Sequence, residues 1–316
     1  MSDLVTFIPE MLTKSDGYTK EYIEQIHDDL TMAVNILASE PKQQGFRQAV
    51  ANFRNIDVKY FDELNCFYVK NPEEIRTLIG DTLYTNTDLG FISKTAYPTF
   101  RERFVFPCYN QRKKVIGMVG YDNVHHYKYL LSSTLGFNKV NASFGYQDLE
   151  YIYKCGYVII VEGIMDWVRL RSLGYPVYCL QGLSIYPNQL RIFKRLKGVI
   201  ALLDADKAGL KALSYIKKQL QNCTAIQLYR GKLDKMDSDM FFQYEENIVS
   251  LASTVETIQE NWNHCNFNHI LLYNSSEILE EKIIKYGEEL EEYKKSLENT
   301  NAVKLEEEEP KIELVI

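Results

Sequence analysis

Val158-Ile159-Ile160-Val161-Glu162-Gly163 decides the fold class of this 316-residue chain. Four consecutive β-branched apolar residues are typical of a strand that is buried on both faces of a sheet. The apolar run ends abruptly at Glu162-Gly163, and a helical pattern follows until Gly174. The stretch therefore predicts a buried strand that leads directly into a helix and carries an acidic residue at its carboxyl end.

The same alternation continues along the chain. Further apolar runs predict strands at residues 177–180, 199–203 and 225–229, separated by helices that begin at Pro187 and near Gly209. Strands that alternate with helices of this length form βαβ units and a parallel sheet. We therefore predict an α/β fold, α+β overall, with a parallel sheet flanked by helices.

Three domains are predicted. Residues 1–150 form a smaller mixed subdomain, mainly helical, with a strand pair at 103–107 and 114–121. Residues 151–250 contain the parallel sheet, and residues 251–316 form a helical C-terminal segment with an acidic tail. The last segment carries an apolar stripe at heptad-like spacing, namely Leu279, Ile283, Tyr286, Leu290, Tyr293 and Leu297.

The net charge of −7 is unevenly distributed. Residues 277–316 contain thirteen acidic and six basic residues, so they account for the whole excess. Residues 94–139 contain eight basic and only two acidic residues. This basic window is either a phosphate-binding surface or a solvated basic face.

Cysteine spacing and hydropathy exclude several classes of protein. The six cysteines are scattered and form no CxxC pair, so we expect neither a zinc site nor a disulfide framework. No apolar stretch is long enough to span a membrane, and no signal-peptide pattern is present. We expect a cytoplasmic protein, in the host cytoplasm if the source is a virus, with no membrane partner.

Acidic residues follow three of the predicted strands. They are Glu162, Asp166, Asp204, Asp206, Asp237 and Asp239. Ligands of open α/β sheets bind beyond the carboxyl ends of the strands, and clustered carboxylates require cations to relieve their repulsion. The pattern predicts a site for Mg²⁺ or Mn²⁺, with two ions able to catalyse phosphoryl transfer. Taken singly, each cluster could instead be a turn, a helix N-cap or a solvated loop.

Two segments resemble the motifs of the TOPRIM family. Residues 161–166, Val-Glu-Gly-Ile-Met-Asp, resemble its glutamate motif, and residues 203–209, Leu-Asp-Ala-Asp-Lys-Ala-Gly, resemble its DxDxxG motif. Residues 100–107 with 115–120, and residues 128–132 with 137–139, resemble the basic subdomain and linking motif of DnaG-type primases within that family. The resemblance covers roughly residues 45–245.

The resemblance implies a DNA primase core that makes RNA primers on single-stranded DNA from ribonucleoside triphosphates. By resemblance, Glu162, Asp204 and Lys139 are catalytic, and the nucleic acid and nucleotide contact residues are Arg101, Arg103, Lys128 and Lys139. The position of the C-terminal segment implies a contact with the replicative helicase.

The chain departs from the family pattern at three places. Tyr121 stands where the family has an arginine, Ser238 replaces the proline of Asp-Pro-Asp, and the N-terminal zinc ribbon of full-length members is not expected here. Two alternatives remain open: a metal-dependent TOPRIM nuclease, and a non-catalytic module that recruits a helicase.

Overall fold

The computed structural model describes residues 17–122, 128–137, 143–204, 206–228, 238–260, 262, 267–272 and 311–315. Two β-sheets with helices packed around them make up these residues. No described helix is long and apolar enough to cross a lipid bilayer.

Five helices precede most of the first sheet. They are α1 (Lys20–Ser39), α2 (Pro41–Arg54), α3 (Lys59–Glu63), α4 (Pro72–Ile79) and α5 (Asp81–Thr85). Pro72 occupies the first turn of α4, and the Asn71 side chain accepts a hydrogen bond from the backbone N–H of Glu73. On α1, the apolar face of Ile23, Ile26 and Leu30 is buried.

The first sheet has four antiparallel strands in the order β1-β2-β3-β4. Their bounds are β1 (Phe67–Val69), β2 (Arg103–Tyr109), β3 (Val115–Tyr121) and β4 (Tyr129–Leu131). The predicted strand pair is confirmed as β2 and β3, with Phe104 opposite Tyr121. The polar turn between them closes through the backbone of Asn110, whose N–H donates to the Lys114 carbonyl at 2.9 Å.

The second sheet has six strands in the order β10-β9-β8-β7-β5-β6, and every neighbouring pair is parallel. The strands are β5 (Tyr157–Val161), β6 (Val177–Cys179), β7 (Gly198–Ala201), β8 (Cys223–Leu228), β9 (Phe267–Leu272) and β10 (Lys311–Val315). The accompanying helices are α6 (Leu149–Cys155), α7 (Ile164–Ser172), α8 (Pro187–Phe193), α9 (Lys207–Gln219), α10 (Ser238–Phe241) and α11 (Glu245–Glu260). The predicted fold class, a parallel sheet with flanking helices, is confirmed.

Both faces of the parallel sheet are covered. Ile159 and Val161 pack on the side of α7, where Trp167 is fully buried, while Val158 and Ile160 pack on the side of α8 and α9. The core on the α7 side is continuous with Phe104 and other residues of the first sheet. The continuous apolar run that predicts β5 is therefore explained by burial on both faces, as expected for a parallel sheet.

The prediction of a helical segment from residue 251 onward is wrong for two described stretches. Helix α11 ends at Glu260, residues Phe267–Leu272 form β9, and Lys311–Val315 form β10. The buried side chains of Ile270 and Leu272 on β9 belong to the core on the α7 side, and its backbone pairs with β8. The added strand covers the edge of β8, whose backbone hydrogen-bonding groups would otherwise be unpaired. The apolar stripe of residues 279–297 lies outside the described residues.

Ile270→Ala tests whether β9 is part of the core. Ile270 is 1% exposed, so we expect the free energy of unfolding to fall by about 2–5 kcal/mol. Val249 on α11 is 63% exposed, and Val249→Ala should change the free energy of unfolding by no more than about 0.5 kcal/mol. Urea denaturation of both variants measures the difference. Equal stabilities would show that β9 contributes little to the core.

Candidate functional site

Acidic residues follow two adjacent strands of the parallel sheet. Glu162 comes directly after β5, and Asp204 lies three residues beyond the end of β7, which pairs with β5. The next strand after β7 is β8, and the predicted ligand Asp237 follows it in sequence but lies outside the described residues. Because parallel strands share one carboxyl edge, Glu162 and Asp204 lie on the same edge of the sheet. Both side chains are half-buried.

The turn from Asp204 to Gly209 is shaped by close backbone contacts. The Asp206 N–H donates to the Asp204 carbonyl at 2.8 Å, and Oδ1 of Asp206 accepts from the Gly209 N–H at 2.7 Å. Asp206 is therefore the N-cap of α9, which is one of the roles that the sequence left open. A Cβ at Gly209 would lie 2.1 Å from the Asp204 carbonyl oxygen. Only glycine fits there, which gives the last position of the DxDxxG pattern a steric reason.

Asp166 is oriented by two backbone N–H groups. Its Oδ2 accepts from Gly163 at 3.2 Å and its Oδ1 accepts from Asp239 at 2.9 Å. The side chain is buried at the start of α7. The Asp166 carboxylate thus bridges the N-terminus of α7 and the N-terminus of α10.

Asp239 is held by two arginines. Its carboxylate is fully buried, with Oδ2 2.6 Å from Nη1 of Arg54 and Oδ1 3.1 Å from Nε and 3.0 Å from Nη2 of Arg169. Asp239 is predicted to be a metal ligand, and in the structure its carboxylate forms ion pairs with Arg54 and Arg169. Arg54 and Arg169 were not among the predicted site residues.

The carboxylates of the described residues do not form a closed metal site by themselves. Among these residues, no three His, Cys, Asp or Glu side chains lie close enough together to share one ion. Glu162, Asp204 and Asp206 remain at the carboxyl edge, while Asp166 and Asp239 serve contacts within the protein. Ala205 and Asp237 lie outside the described part of the chain.

Buried charge around the edge also affects a neighbouring thiol. The pKa of Cys179, on β6, is raised by burial, and the negative charges of Asp166 and Glu162 act in the same direction. The Cys179 Sγ donates to the Glu162 carbonyl at 3.3 Å. This thiol is a packing group that stays protonated, not a nucleophile.

Two basic residues of the window 94–139 form ion pairs with helix α1. Lys114 and Arg112 pair with Asp28 and Glu24 on α1, at 2.7 and 3.7 Å. These ion pairs support the solvated-face alternative for that part of the window.

The candidate phosphate-binding residues occupy different environments. Arg101 and Lys128 are exposed, Arg103 is buried against Gly120 on the first sheet, and Lys139 lies outside the described residues. The Lys128 Nζ lies 5.5 Å from the centroid of the Tyr129 ring. A Cβ built on Gly163 would lie 3.5 Å from the Tyr129 hydroxyl. The start of β4, with Lys128, is therefore close to the acidic edge.

Comparison with known proteins agrees with this arrangement. The Toprim-like family matches residues 159–242. The DNA primase of Clostridium acetobutylicum is 28% identical over 255 residues, which is 72% of this chain and 42% of the relative. The DNA primase of Escherichia coli K12 is 33% identical over 148 residues, 44% of this chain and 24% of the relative. The chain spans less than half the length of these two curated relatives.

Solved structures show the same fold. A DnaG primase catalytic domain bound to single-stranded DNA matches with a TM-score of 0.60 and 21% identity, over 75% of this chain and 80% of that one. The chain has the fold of a DnaG-type primase catalytic core. The zinc-binding and RNA polymerase domains of the Aquifex aeolicus primase match this chain with a TM-score of 0.56 and 24% identity, over 78% of this chain and 66% of that one. The predicted resemblance is confirmed.

Gly209→Ala tests the steric role of glycine in the turn after Asp204. The Cβ would meet the Asp204 carbonyl, so we expect a loss of about 1–3 kcal/mol in the free energy of unfolding, as for an overpacked site. Gly45, inside α2, is a matched control because a Cβ there meets no atom within 4 Å. Gly45→Ala should stabilise the protein by about 1 kcal/mol through helix propensity. Thermal melts of the two variants should shift in opposite directions, and a shift of both to higher temperature would contradict the assignment.

Proposed function

We propose that this chain is the catalytic part of a DNA primase, which makes short RNA primers on a single-stranded DNA template. The observation that carries the proposal is the position of Glu162 and Asp204 beyond adjacent parallel strands, in a fold shared with DnaG catalytic domains. The exposed Lys128 near the same edge provides positive charge for a phosphate backbone. The reaction joins ribonucleoside triphosphates by nucleotidyl transfer.

The proposed metal ligands are the carboxylates of Glu162, Asp204, Asp206 and Asp237. Their donor atoms are all oxygen, the ligand type that Mg²⁺ and Mn²⁺ prefer, and Glu162 and Asp204 are half-buried side by side at the strand ends. Two such ions would activate the 3′-hydroxyl and neutralise the triphosphate. Asp166 and Asp239 are assigned a supporting part, because their oxygens bind backbone N–H groups and arginines.

The protein's own cations would hold the nucleic acid and nucleotide. Lys128 and Arg101 are exposed and available to a template phosphate, whereas Arg103 is buried and would orient strand β2 beside them. Lys139 is proposed to contact the triphosphate, by resemblance of its motif. A contact with the replicative helicase through residues 275–316 is proposed from the position of that segment alone.

Asp204→Ala is expected to abolish primer synthesis without unfolding the protein. A half-buried carboxylate beyond a strand end contributes to ligand binding more than to packing, and its removal relieves charge repulsion. The assay contains single-stranded template, Mg²⁺ and labelled ribonucleoside triphosphates. The matched control is Glu150→Gln, because Glu150 is an exposed carboxylate on α6.

The outcomes of this assay separate the candidate functions. New RNA from the wild type and the Glu150 variant, with none from the Asp204 variant, supports a primase. Shortened template would indicate a nuclease instead. Unchanged synthesis by the Asp204 variant, at an unchanged melting temperature, would contradict the assignment of this carboxylate.

Lys128→Ala tests the proposed template surface. Loss of one phosphate contact should weaken binding of single-stranded DNA and reduce the slope of log K against log salt by about 0.7. Lys114 belongs to the same basic window but pairs with Asp28 on α1, so Lys114→Ala should leave the slope unchanged. Fluorescence anisotropy at several salt concentrations measures both variants. Equal slopes for the two would place Lys128 outside the template surface.

A further inference from the structure

A continuous run of polar contacts connects the first sheet to the acidic edge of the parallel sheet. It begins at Tyr121, the last residue of β3, and passes through Arg54, Asp239 and Asp166 to the backbone of Gly163. Apart from the half-buried Gly163, all of these residues are buried. The run therefore crosses the boundary between the two sheets in an environment where hydrogen bonds and ion pairs are strong.

Arg54 provides the link across that boundary. It is the last residue of α2, and its Nη1 donates to Oδ2 of Asp239 at 2.6 Å. Its Nη2 donates to the hydroxyl of Tyr121, and its guanidinium carbon lies 5.8 Å from the centroid of that ring. The planar fork of arginine lets one side chain contact both partners, which the single ammonium group of lysine cannot reproduce.

Arg169 holds the opposite side of the same carboxylate. Its Nε and Nη2 contact Oδ1 of Asp239, its Nη1 donates to the Asn55 carbonyl at 2.9 Å, and its Nη2 also donates to the Arg54 carbonyl. Arg169 thus binds the C-terminal end of α2 from the parallel-sheet side. The two guanidinium groups balance the charges of Asp239 and Asp166, so the run can be buried.

The run ends beside one of the proposed metal ligands. Gly163 follows Glu162 directly, and Glu162 comes after β5, which neighbours β7, the strand that leads to Asp204. Contacts that fix Gly163 relative to Asp239 therefore constrain the backbone at Glu162.

We propose that Arg54 is a positioning residue for the metal site, through which the N-terminal helices set the affinity of the parallel-sheet carboxylates for divalent cations. The proposal rests on the metal site of the proposed function. In this proposal the Asp239 carboxylate binds Arg54 and Arg169 and is not a metal ligand. Outer contacts of this kind orient the ligands of many metal sites, and their loss typically costs 10–100-fold in metal affinity.

Arg171 provides a matched control. It also connects the N-terminal helices to the parallel-sheet domain, with Nη1 3.0 Å from Glu63 of α3 and Nε 3.3 Å from Asp148. Its guanidinium lies over the rings of Tyr60 and Trp167. Within the described residues its ion pairs involve neither Asp239 nor Asp166. Arg171→Met should therefore weaken the contacts between the N-terminal helices and the parallel-sheet domain. It should leave the contacts from Tyr121 to Gly163 in place.

The experiment compares Arg54→Met, Arg54→Lys and Arg171→Met with the wild type, each as the full chain. Binding of Mn²⁺ alone is measured by electron paramagnetic resonance, melting temperature by circular dichroism, and primer synthesis by the template assay. We expect both methionine variants to melt at lower temperature, by roughly 5–10 °C for Arg54→Met, which removes one of the two arginines from a buried carboxylate. We expect the Kd for Mn²⁺ to rise about tenfold or more for Arg54→Met and to stay at the wild-type value for Arg171→Met.

Arg54→Lys keeps the buried charge balanced, so it decides the question if Arg54→Met fails to fold. We expect it to melt close to the wild type but to bind Mn²⁺ more weakly, since lysine cannot contact Asp239 and Tyr121 together. Wild-type Mn²⁺ affinity in the folded Arg54 variants, or an equal loss in Arg171→Met, would overturn the positioning role and leave the proposed function intact. A wild type that binds no Mn²⁺ would overturn the proposed metal site itself.

Discussion

The buried carboxylate of Asp239 is the constraint on which the arrangement of this molecule depends. An ionised carboxylate without exposure to water is strongly destabilising unless it is paired and hydrogen-bonded. Here the two partners come from different parts of the chain, Arg54 from the N-terminal helices and Arg169 from the helix after β5. Both arginines reach the carboxylate only when α2, α7 and α10 are all in place. The shared apolar core around Phe104 and Trp167 supplies the bulk of the stabilisation, while the ion pair specifies the geometry.

Parallel pairing then determines where the acidic residues of different strands meet. The order β8-β7-β5 places three successive carboxyl ends next to one another, although β5 and β7 are separated in sequence by β6 and two helices. The turn after β7 is tight because Gly209 touches the Asp204 carbonyl and Asp206 caps α9. Asp204 therefore cannot move independently of the first turn of that helix. Such a turn would hold Asp204 at the fixed geometry that the proposed metal site requires.

Local sequence patterns predicted the parts of the structure that depend on local physics. The β-branched run before Glu162 predicted a strand buried on both faces, and the alternation with helices predicted parallel pairing, because burial and periodicity are properties of short segments. The Arg54–Asp239 pair could not be predicted in this way, since its partners are 185 residues apart and the sequence pattern assigned Asp239 to a metal site. Strand β9 was missed because Asn268 and His269 interrupt its apolar character, so its burial depends on pairing with β8. Charge counting treated residues 94–139 as one surface, whereas Lys114 is paired with α1 and Lys128 lies near the acidic edge.

The distribution of charge also explains why the acidic residues need not all serve one site. Six carboxylates in three sequence clusters suggested a single group of ligands, and repulsion among them suggested cations. Four of the described carboxylates differ in burial. Asp166 and Asp239 are buried away from water, where fixed N–H groups and arginines compensate them. Glu162 and Asp204 remain half-buried at the strand ends. A permanent counter-charge suits a residue that holds its neighbours still, whereas the proposed metal ions would have to exchange with solvent. Burial therefore favours Glu162 and Asp204 over Asp239 as metal ligands, because an exchanging ion requires access to a carboxylate and that of Asp239 is fully buried.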